Sequence, residues 1–427
     1  METSPTVAIL ATLDSKSQET WRACAGVRSA GARPWVLDLS LRPHAVAGAD
    51  VTAERVAEAG GSDLISVAAL DRGEAAAVMV TGARQLVSDG VERGHLHAAM
   101  GLGGANGTWM ACAIMRELPL LFPKLMVSAV AATPAAPWYI GASDIILVPS
   151  VGDLGVNRVT TAIIRNASVA AVAMARSRLE QPEEDAGSAP VLVGVSSFGG
   201  TAACVARVQE GLEAAGYEVI LFHASGSGGR ALERMALAGQ LGGVIDVTTH
   251  ELTDLVVGGV YSAGDDRLRG AATRGIPQVV VPGALDHANL WVGEVPERFR
   301  GREFVRYNQQ NLLMRTDAGE YEAVATLMAD RLEGASGPVA VLIPRHGFSE
   351  HTRRRTVDLD GEPVGVWQRP EVDARFGEVL GERLGDGVLR EFDLHINDPE
   401  FADACVTTFL DLVARSAEMD DAGEATR

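Results

Sequence analysis

Two short glycine-rich segments carry the clearest chemical signal in this 427-residue chain. Gly101–Thr108 reads GLGGANGT, and His223–Arg230 reads HASGSGGR. Each follows an apolar run and precedes a helical pattern. Such a turn aims backbone N–H groups, and the positive end of a helix dipole, at whatever lies in front of it. An anion, phosphate above all, is its natural occupant. In the first segment Gly101, Gly103, Gly104 and Gly107 permit close backbone approach, and Asn106 and Thr108 add side-chain donors. The spacing is neither GxxxxGK[ST], whose lysine is absent, nor GxGxxG. In the second segment Ser225, Gly226, Gly228 and Gly229 stand with Ser227 and Arg230, and hydroxyls plus a guanidinium make a stronger anion site than glycine alone. The plain structural alternatives are a tight strand–helix turn and an exposed first-turn arginine.

Two further segments sit after strand-like runs: SSFGGT, with Ser197, Gly199 and Thr201, and TTHE, with Thr248, Thr249, His250 and Glu251. In a doubly wound sheet, loops at the carboxyl ends of strands converge on one crevice, so these residues are expected to bind substrate. Acid–base candidates lie on the same edge: His223, Asp246, His250, Glu251, Asp286, His287 and His346. A loop histidine serves as often as a cap or a solvated residue. No HExxH or similar metal spacing occurs, and His395 in HINDP reads as part of a turn before Pro399. In the first half Thr12, Asp14 and Lys16 follow the first strand. Asp14 can hold a metal or hydroxyl and Lys16 a phosphate, or Asp14 and Ser15 merely cap a helix.

The elements that must position these groups alternate. Strands are expected at Thr6–Leu10, Pro34–Leu39, His97–Leu102, Leu125–Val130 and Ile145–Leu147, with helices between them and a long Ala-rich helix from Arg158. Leu179–Pro190, LEQPEEDAGSAP, is acidic and aperiodic and reads as a linker. The pattern then restarts, with strands at Val191–Val195, Val219–Phe222, Gly243–Asp246, Val279–Val281 and Val339–Ile343. The expected fold class is α/β, two Rossmann-like subdomains with mainly parallel sheets, at residues 1–178 and 191–415, followed by an acidic tail at 416–427.

Composition narrows the partners. Lys plus Arg is 37 and Asp plus Glu is 56, a formal charge of −19. That opposes nucleic acid and anionic membrane surfaces, and it confines any bound anion to a local positive pocket. Glycine, at 47 residues, exceeds its usual share of about 7% and gathers where strands turn into helices. Cys24, Cys112, Cys204 and Cys405 are too scattered for a metal or disulfide framework and read as buried thiols of a cytoplasmic protein. No basic leader opens the chain, and Pro119, Pro123 and Lys124 break its longest apolar stretch, so neither signal peptide nor membrane span is expected.

Several long motifs, in order, resemble the Tm-one-like ATP-binding family, catalogued as an uncharacterised protein family and related to the N-terminal half of a plant tobamovirus-resistance protein. They are ATLDSK at Ala11–Lys16, GLGGANGT, YIGASDI at Tyr139–Ile145 and SVGDLGVNR at Ser150–Arg158. Then come SSFGGT, the segment around HASGSGGR, GGVIDVTTHEL, SAGDDRL, GIPQVVVPGALDHAN, NLLMRT and HINDP. The resemblance implies ATP with Mg²⁺ and self-association as dimers or larger. It makes Gly101–Thr108 the phosphate loop. The chain departs from the family pattern at Ala131–Pro137, which lacks a carboxylate, and at Asn308-Gln309. The function expected is an ATP-dependent, ligase-like enzyme that activates a small carboxylate- or carbonyl-bearing substrate in a crevice between the subdomains. The alternatives are a non-catalytic nucleotide-binding interaction protein and a nucleotide-independent hydrolase or lyase.

Overall fold

The computed structural model describes residues 4–180, 190–385 and 387–424. Residues 181–189 of the expected linker lie outside the described residues. The chain falls into two compact units, 1–187 and 188–427.

In the first unit the elements run β1 (Thr6–Ala11), α1 (Leu13–Ser29), β2 (Arg33–Asp38), α2 (Ala53–Ala59), α3 (Leu64–Ala69), α4 (Arg72–Glu92), β3 (Ala98–Gly103) and α5 (Ala105–Met115). They continue with β4 (Lys124–Ser128), α6 (Ala136–Ile140), β5 (Ile146–Pro149) and α7 (Arg158–Glu180). The sheet order is β2-β1-β3-β4-β5, with every pairing parallel. All residues of β1, β3 and β4 are buried, as strands covered on both faces must be. Ala23, Cys24 and Val27 of α1 pack with Ala171 and Val172 of α7 on one face. On the other face Val56 of α2, Met79 and Ala83 of α4, and Met110 and Ile114 of α5 share a core. The strand order reverses between β1 and β3, whose following helices lie on opposite faces, and that leaves a crevice beyond their carboxyl ends. Local signals start the helices: Asp63 and Asp71 each accept two backbone N–H bonds as the caps of α3 and α4.

The second unit runs β6 (Leu192–Ser197), α8 (Ala202–Ala214), β7 (Glu218–His223), α9 (Ser227–Leu237), β8 (Gly243–Thr248), α10 (Glu251–Val257), α11 (Gly270–Arg274) and β9 (Gln278–Gly283). There follow β10 (His287–Trp291), β11 (Phe304–Arg306), β12 (Asn311–Arg315), α12 (Ala318–Leu332), β13 (Val339–Pro344), β14 (Arg355–Val357), β15 (Pro363–Val366), α13 (Pro370–Arg383), β16 (Leu389–Phe392) and α14 (Pro399–Glu424). Its main sheet, β16-β13-β9-β8-β6-β7, is parallel throughout. α8 and α14 cover one face, and α10, α12 and α13 the other. The reversal here falls between β6 and β8.

Two features differ from the sequence expectation. A second sheet, β10-β12-β11-β14-β15, is antiparallel. Its tight turn is built by Asn308, whose side chain accepts from the Gln310 and Asn311 amides. The segment expected as an acidic tail continues α14 as far as Glu424. The four cysteines are buried and free. Among the described residues no helix is long and apolar enough to cross a membrane.

Candidate functional site

In the first unit a cavity of about 740 Å³ opens at the reversal point between β1 and β3. It is lined by Thr12, Asp14, Ser15 and Lys16 after β1, Leu41 and Arg42 after β2, Arg72 at the start of α4, Gly104–Gly107 after β3, and Asp153. Gly104 caps α5 and offers no side chain to its amides. A Cβ built on Gly104 would meet no atom within 4 Å, and its backbone is extended (φ −75°), so neither packing nor conformation demands glycine there. The space that a side chain would fill is the cavity. α1 begins differently: the Leu13 amide donates to Asp38 Oδ1 at 3.0 Å and the Asp14 amide to Ser40 Oγ at 3.0 Å, so its N-terminus is closed by the protein itself.

The expected phosphate loop divides. Gly104, Asn106 and Gly107 line the cavity with Thr12, Asp14 and Lys16. Gly101, Gly103 and Thr108 are buried behind it. A Cβ on Gly103 would lie 2.7 Å from the Gly107 backbone, and one on Gly101 2.4 Å from Met126 Sδ, so both serve packing. The Thr108 hydroxyl pairs with Ser128 Oγ at 2.7 Å and is not available to a ligand. Lys16 Nζ donates to the Leu154 carbonyl and lies 4.0 Å from Glu19. Arg42, Arg72 and Asp153 come from separate elements; Arg42 and Arg72 carried no local signal, and Asp153 stood in the SVGDLGVNR motif without an assigned role. A second cavity of about 520 Å³ shares Ala105 and Asn106 with the first and is walled by Trp109, Trp138 and Tyr139. Trp138 is 81% exposed.

The second unit meets the expected anion-binding turn with a group of its own. Its glycine turn is filled by the Glu251 carboxylate, which accepts from the Gly226 amide at 2.6 Å and the Gly229 amide at 3.2 Å. A Cβ on Gly229 would sit 2.1 Å from Glu251 Oε2, so glycine there admits the carboxylate. Glu251 is in turn held by Arg267 Nε at 2.7 Å. Arg267, wholly buried, also binds Asp246 (2.7 Å through Nη2), Glu233 (3.0 Å) and the Thr248 carbonyl (3.2 Å). Burial works against its charge, but Asp246 and Glu251 hold its pKa well above the usual value, whereas burial raises that of Glu233. Glu251 therefore serves as an internal counter-ion to Arg267.

Three other expected substrate ligands, Thr201, Thr248 and Thr249, are committed inward. Thr201 pairs with Thr248 at 2.7 Å, and Thr249 donates to the Val281 carbonyl. Arg230 is exposed and turns to the Ser262 carbonyl. Ser225 bonds the His223 carbonyl. Ser197 is half-buried and Gly199 exposed at the β6 edge. His346 is half-exposed and pairs with Asp393 at 3.0 Å. His395 and Asn397 bind the Ser349 and Gly200 carbonyls as parts of a structural turn.

A different group gathers at the carboxyl edge. Asp286 Oδ1 lies 3.0 Å from His287 Nδ1, and its Oδ2 accepts from Ser349 (2.6 Å) and Trp367 Nε1 (2.7 Å). Burial alone would raise the Asp286 pKa. The His287 bond and charge, Arg315 and Ser349 outweigh that and hold it below the usual carboxylate range. The Arg315 guanidinium steadies the pair through the Asp286 and Trp367 carbonyls. His287 faces His250 with ring centres 5.9 Å apart and His351 at 5.4 Å, and His250 stacks on Phe198 at 4.2 Å. Burial, then the neighbouring His287, lowers the pKa of both, His351 to about 4. Both ring nitrogens of His250, Nε2 of His287 and Nδ1 of His351 have no hydrogen-bond partner. His223 is exposed, 5.3 Å from the Phe198 ring. Of these, Ser349, His351 and Trp367 were not assigned to a site from sequence, whereas His287 stood among the acid–base candidates. The adjacency of Asp286 and His287 was the one local cue. Among the described residues no group of three or more His, Cys, Asp or Glu side chains is placed to hold a metal ion.

Comparison with known proteins supplies the context. Residues 5–180 match the N-terminal domain, and residues 190–413 the C-terminal domain, of the uncharacterised protein family UPF0261. A UPF0261 protein of Rhizobium meliloti is 38% identical over 413 residues, covering 95% of this chain and 98% of that protein. The ToMV resistance protein Tm-1(GCR237) of Solanum lycopersicum is 35% identical over 363 residues, covering 84% of this chain and 47% of that protein. Among solved structures, UDP-GlcNAc 2-epimerase from Neisseria meningitidis aligns over 65% of this chain and 82% of its own, at 8% identity and a TM-score of 0.23.

Proposed function

The chain belongs to the UPF0261 family, and from that footing we propose that its first unit binds ATP with Mg²⁺ and that the protein uses it to activate a small carboxylate- or carbonyl-bearing substrate. The carrying observation is the α5 turn. It is a helix start with no capping side chain, set on a cavity of about 740 Å³, at a glycine that packing does not require. That volume lies within the range of small-molecule sites. The amides of Ala105, Asn106 and Gly107 face the phosphates, and Arg42, Arg72 and Lys16 supply the local positive charge that a −19 protein must concentrate. Mg²⁺ comes with the phosphates and takes at most a carboxylate or two from Asp14 and Asp153, in keeping with its preference for retaining water. The aromatic cavity beside Asn106 offers Trp109, Trp138 and Tyr139 as stacking surfaces for the base.

Calorimetry with MgATP and with magnesium pyrophosphate tests this. Trp138→Ala should weaken ATP and spare pyrophosphate. Absence of ATP binding to the wild type sinks the reading. The kinship with a resistance protein favours a second reading, in which nucleotide binding controls a protein contact without turnover. Release of ADP, AMP or phosphate in the presence of carboxylic acids separates the two.

A further inference from the structure

We propose that the second unit carries a proton-transfer site in which His287 Nε2 removes a carbon-bound proton beside the carbonyl of a small uncharged aldehyde or ketone. The neutral imidazoles of His250 and His351 donate hydrogen bonds to the enolate oxygen that forms. The proposal rests on no nucleotide and on none of the first unit's residues.

Asp286 sets the direction of transfer. An ionised carboxylate only accepts, so His287 Nδ1 carries the proton shared with Oδ1, and the lone pair is left on Nε2. The second carboxylate oxygen is fixed by Ser349 and Trp367, which prevents the pair from rotating apart. When Nε2 takes a proton, the imidazolium stays beside an anion already in place. Burial keeps His250 and His351 uncharged, so each offers an N–H without competing for the proton. Four ring nitrogens in this cluster are buried without partners. An unsatisfied buried polar group is costly, and packing alone would be served better by apolar side chains.

The surroundings select the chemistry. Arg267 and Arg315 are committed to carboxylates and carbonyls, so neither of these guanidinium groups is spare for the reacting end of the ligand. Phe198 stacks on His250, and Trp367 lies beside His287 and His351, so aromatic rings wall the cluster. Phe198, Tyr261 and Tyr307, which reach the surface, form the side from which a ligand enters. In the step itself the C–H bond breaks and an Nε2–H bond forms. The freed pair becomes the enolate C=C, and the carbonyl π pair moves to oxygen. Return of the proton to the same carbon gives exchange; where that carbon bears a hydroxyl, return to the former carbonyl carbon, with the hydroxyl proton passing to the former carbonyl oxygen, gives isomerisation, with no oxidant or co-reactant.

The test is deuterium wash-in at the α-carbon of dihydroxyacetone, glyceraldehyde and erythrulose, followed by proton NMR in D₂O without nucleotide or Mg²⁺. Wild type should exchange at least one of them ten or more times faster than His287→Gln. Asp286→Asn, a positioning change, should lose a similar factor and shift the pH profile. His346→Gln should keep the full rate. If His287→Gln does not fold, His287→Ala with added imidazole should regain exchange. Equal rates in wild type and the His287 variants for all three compounds, or an equal loss in His346→Gln, overturn the proposal. Calorimetric failure of ATP binding would leave this exchange untouched, so the two readings fail separately.

Discussion

Both units turn a parallel strand into a helix through glycine, and the two turns end in opposite states. At α5 the turn faces a cavity edged by Arg42 and Arg72. At α9 it is plugged by Glu251, itself tied to Arg267. The same local signal therefore describes a socket, and whether the socket serves a ligand depends on what the next strand end puts into it. Glu251 lies 22 residues beyond Gly229 and reaches it only because β6 and β8 are neighbours. The first unit has its own internal anion, Asp38, but that one closes α1 and leaves α5 open.

The largest effect should come from pulling the plug's anchor. Arg267→Met strands Asp246, Glu233 and Glu251 in the interior and should cost about 3–5 kcal/mol of stability, read by urea unfolding. Stability near wild type would mean that the α9 turn is not held as a filled socket.

Acid tests the same unit. His351 has a pKa of about 4 when folded, with His287, Asp286 and Arg354 facing it, against about 6.5 unfolded. The unfolded chain then binds the proton first, so stability is full above about pH 6.5 and falls as pH drops toward 4, by roughly 3 kcal/mol for this group. A His351→Phe variant should show a shallower decline over that window.

The first unit should respond in binding rather than in folding. Gly104→Val should lower ATP affinity more than tenfold while stability stays within about 0.5 kcal/mol, because the new side chain meets only the cavity. Gly103→Val, one residue earlier, should cost about 1–3 kcal/mol by collision with the Gly107 backbone. If both variants behave alike, the distinction between lining and packing glycines fails. Smallest of all, Arg42→Ala and Arg72→Ala should each weaken ATP a few-fold and flatten its salt dependence, since exposed charges contribute about 0.2–1 kcal/mol apiece.

The parallel sheets were legible because buried strands such as Val339–Ile343 are unbroken β-branched and aliphatic runs that end at turn residues. The antiparallel sheet was not, since β10 reads HANLW and β11 has three residues, too polar and too short for an alternating pattern to stand out. The site was legible in part. Gly104 announced itself, but Arg42 and Arg72 reach the cavity from elements on the far side of β2 in sequence. Glu251 misled because a first-turn carboxylate looks the same whether it meets solvent, substrate or an arginine 16 residues away. His351 follows a short turn after Ser349 with no motif around it, so only its closeness to His287 reveals it.

His287 begins β10 and stands opposite Arg315 of β12, so the proposed base is mounted on the antiparallel ribbon and not on the parallel sheet. The outermost strand of that ribbon, β15, exposes Val364 and Val366. Sequence drift at this rim can reshape the approach to His287 while the parallel strands and the Arg267 cluster stay as they are. Diversification of this unit is thereby separated from its foldability: a lineage can trade one small molecule for another by editing a hairpin.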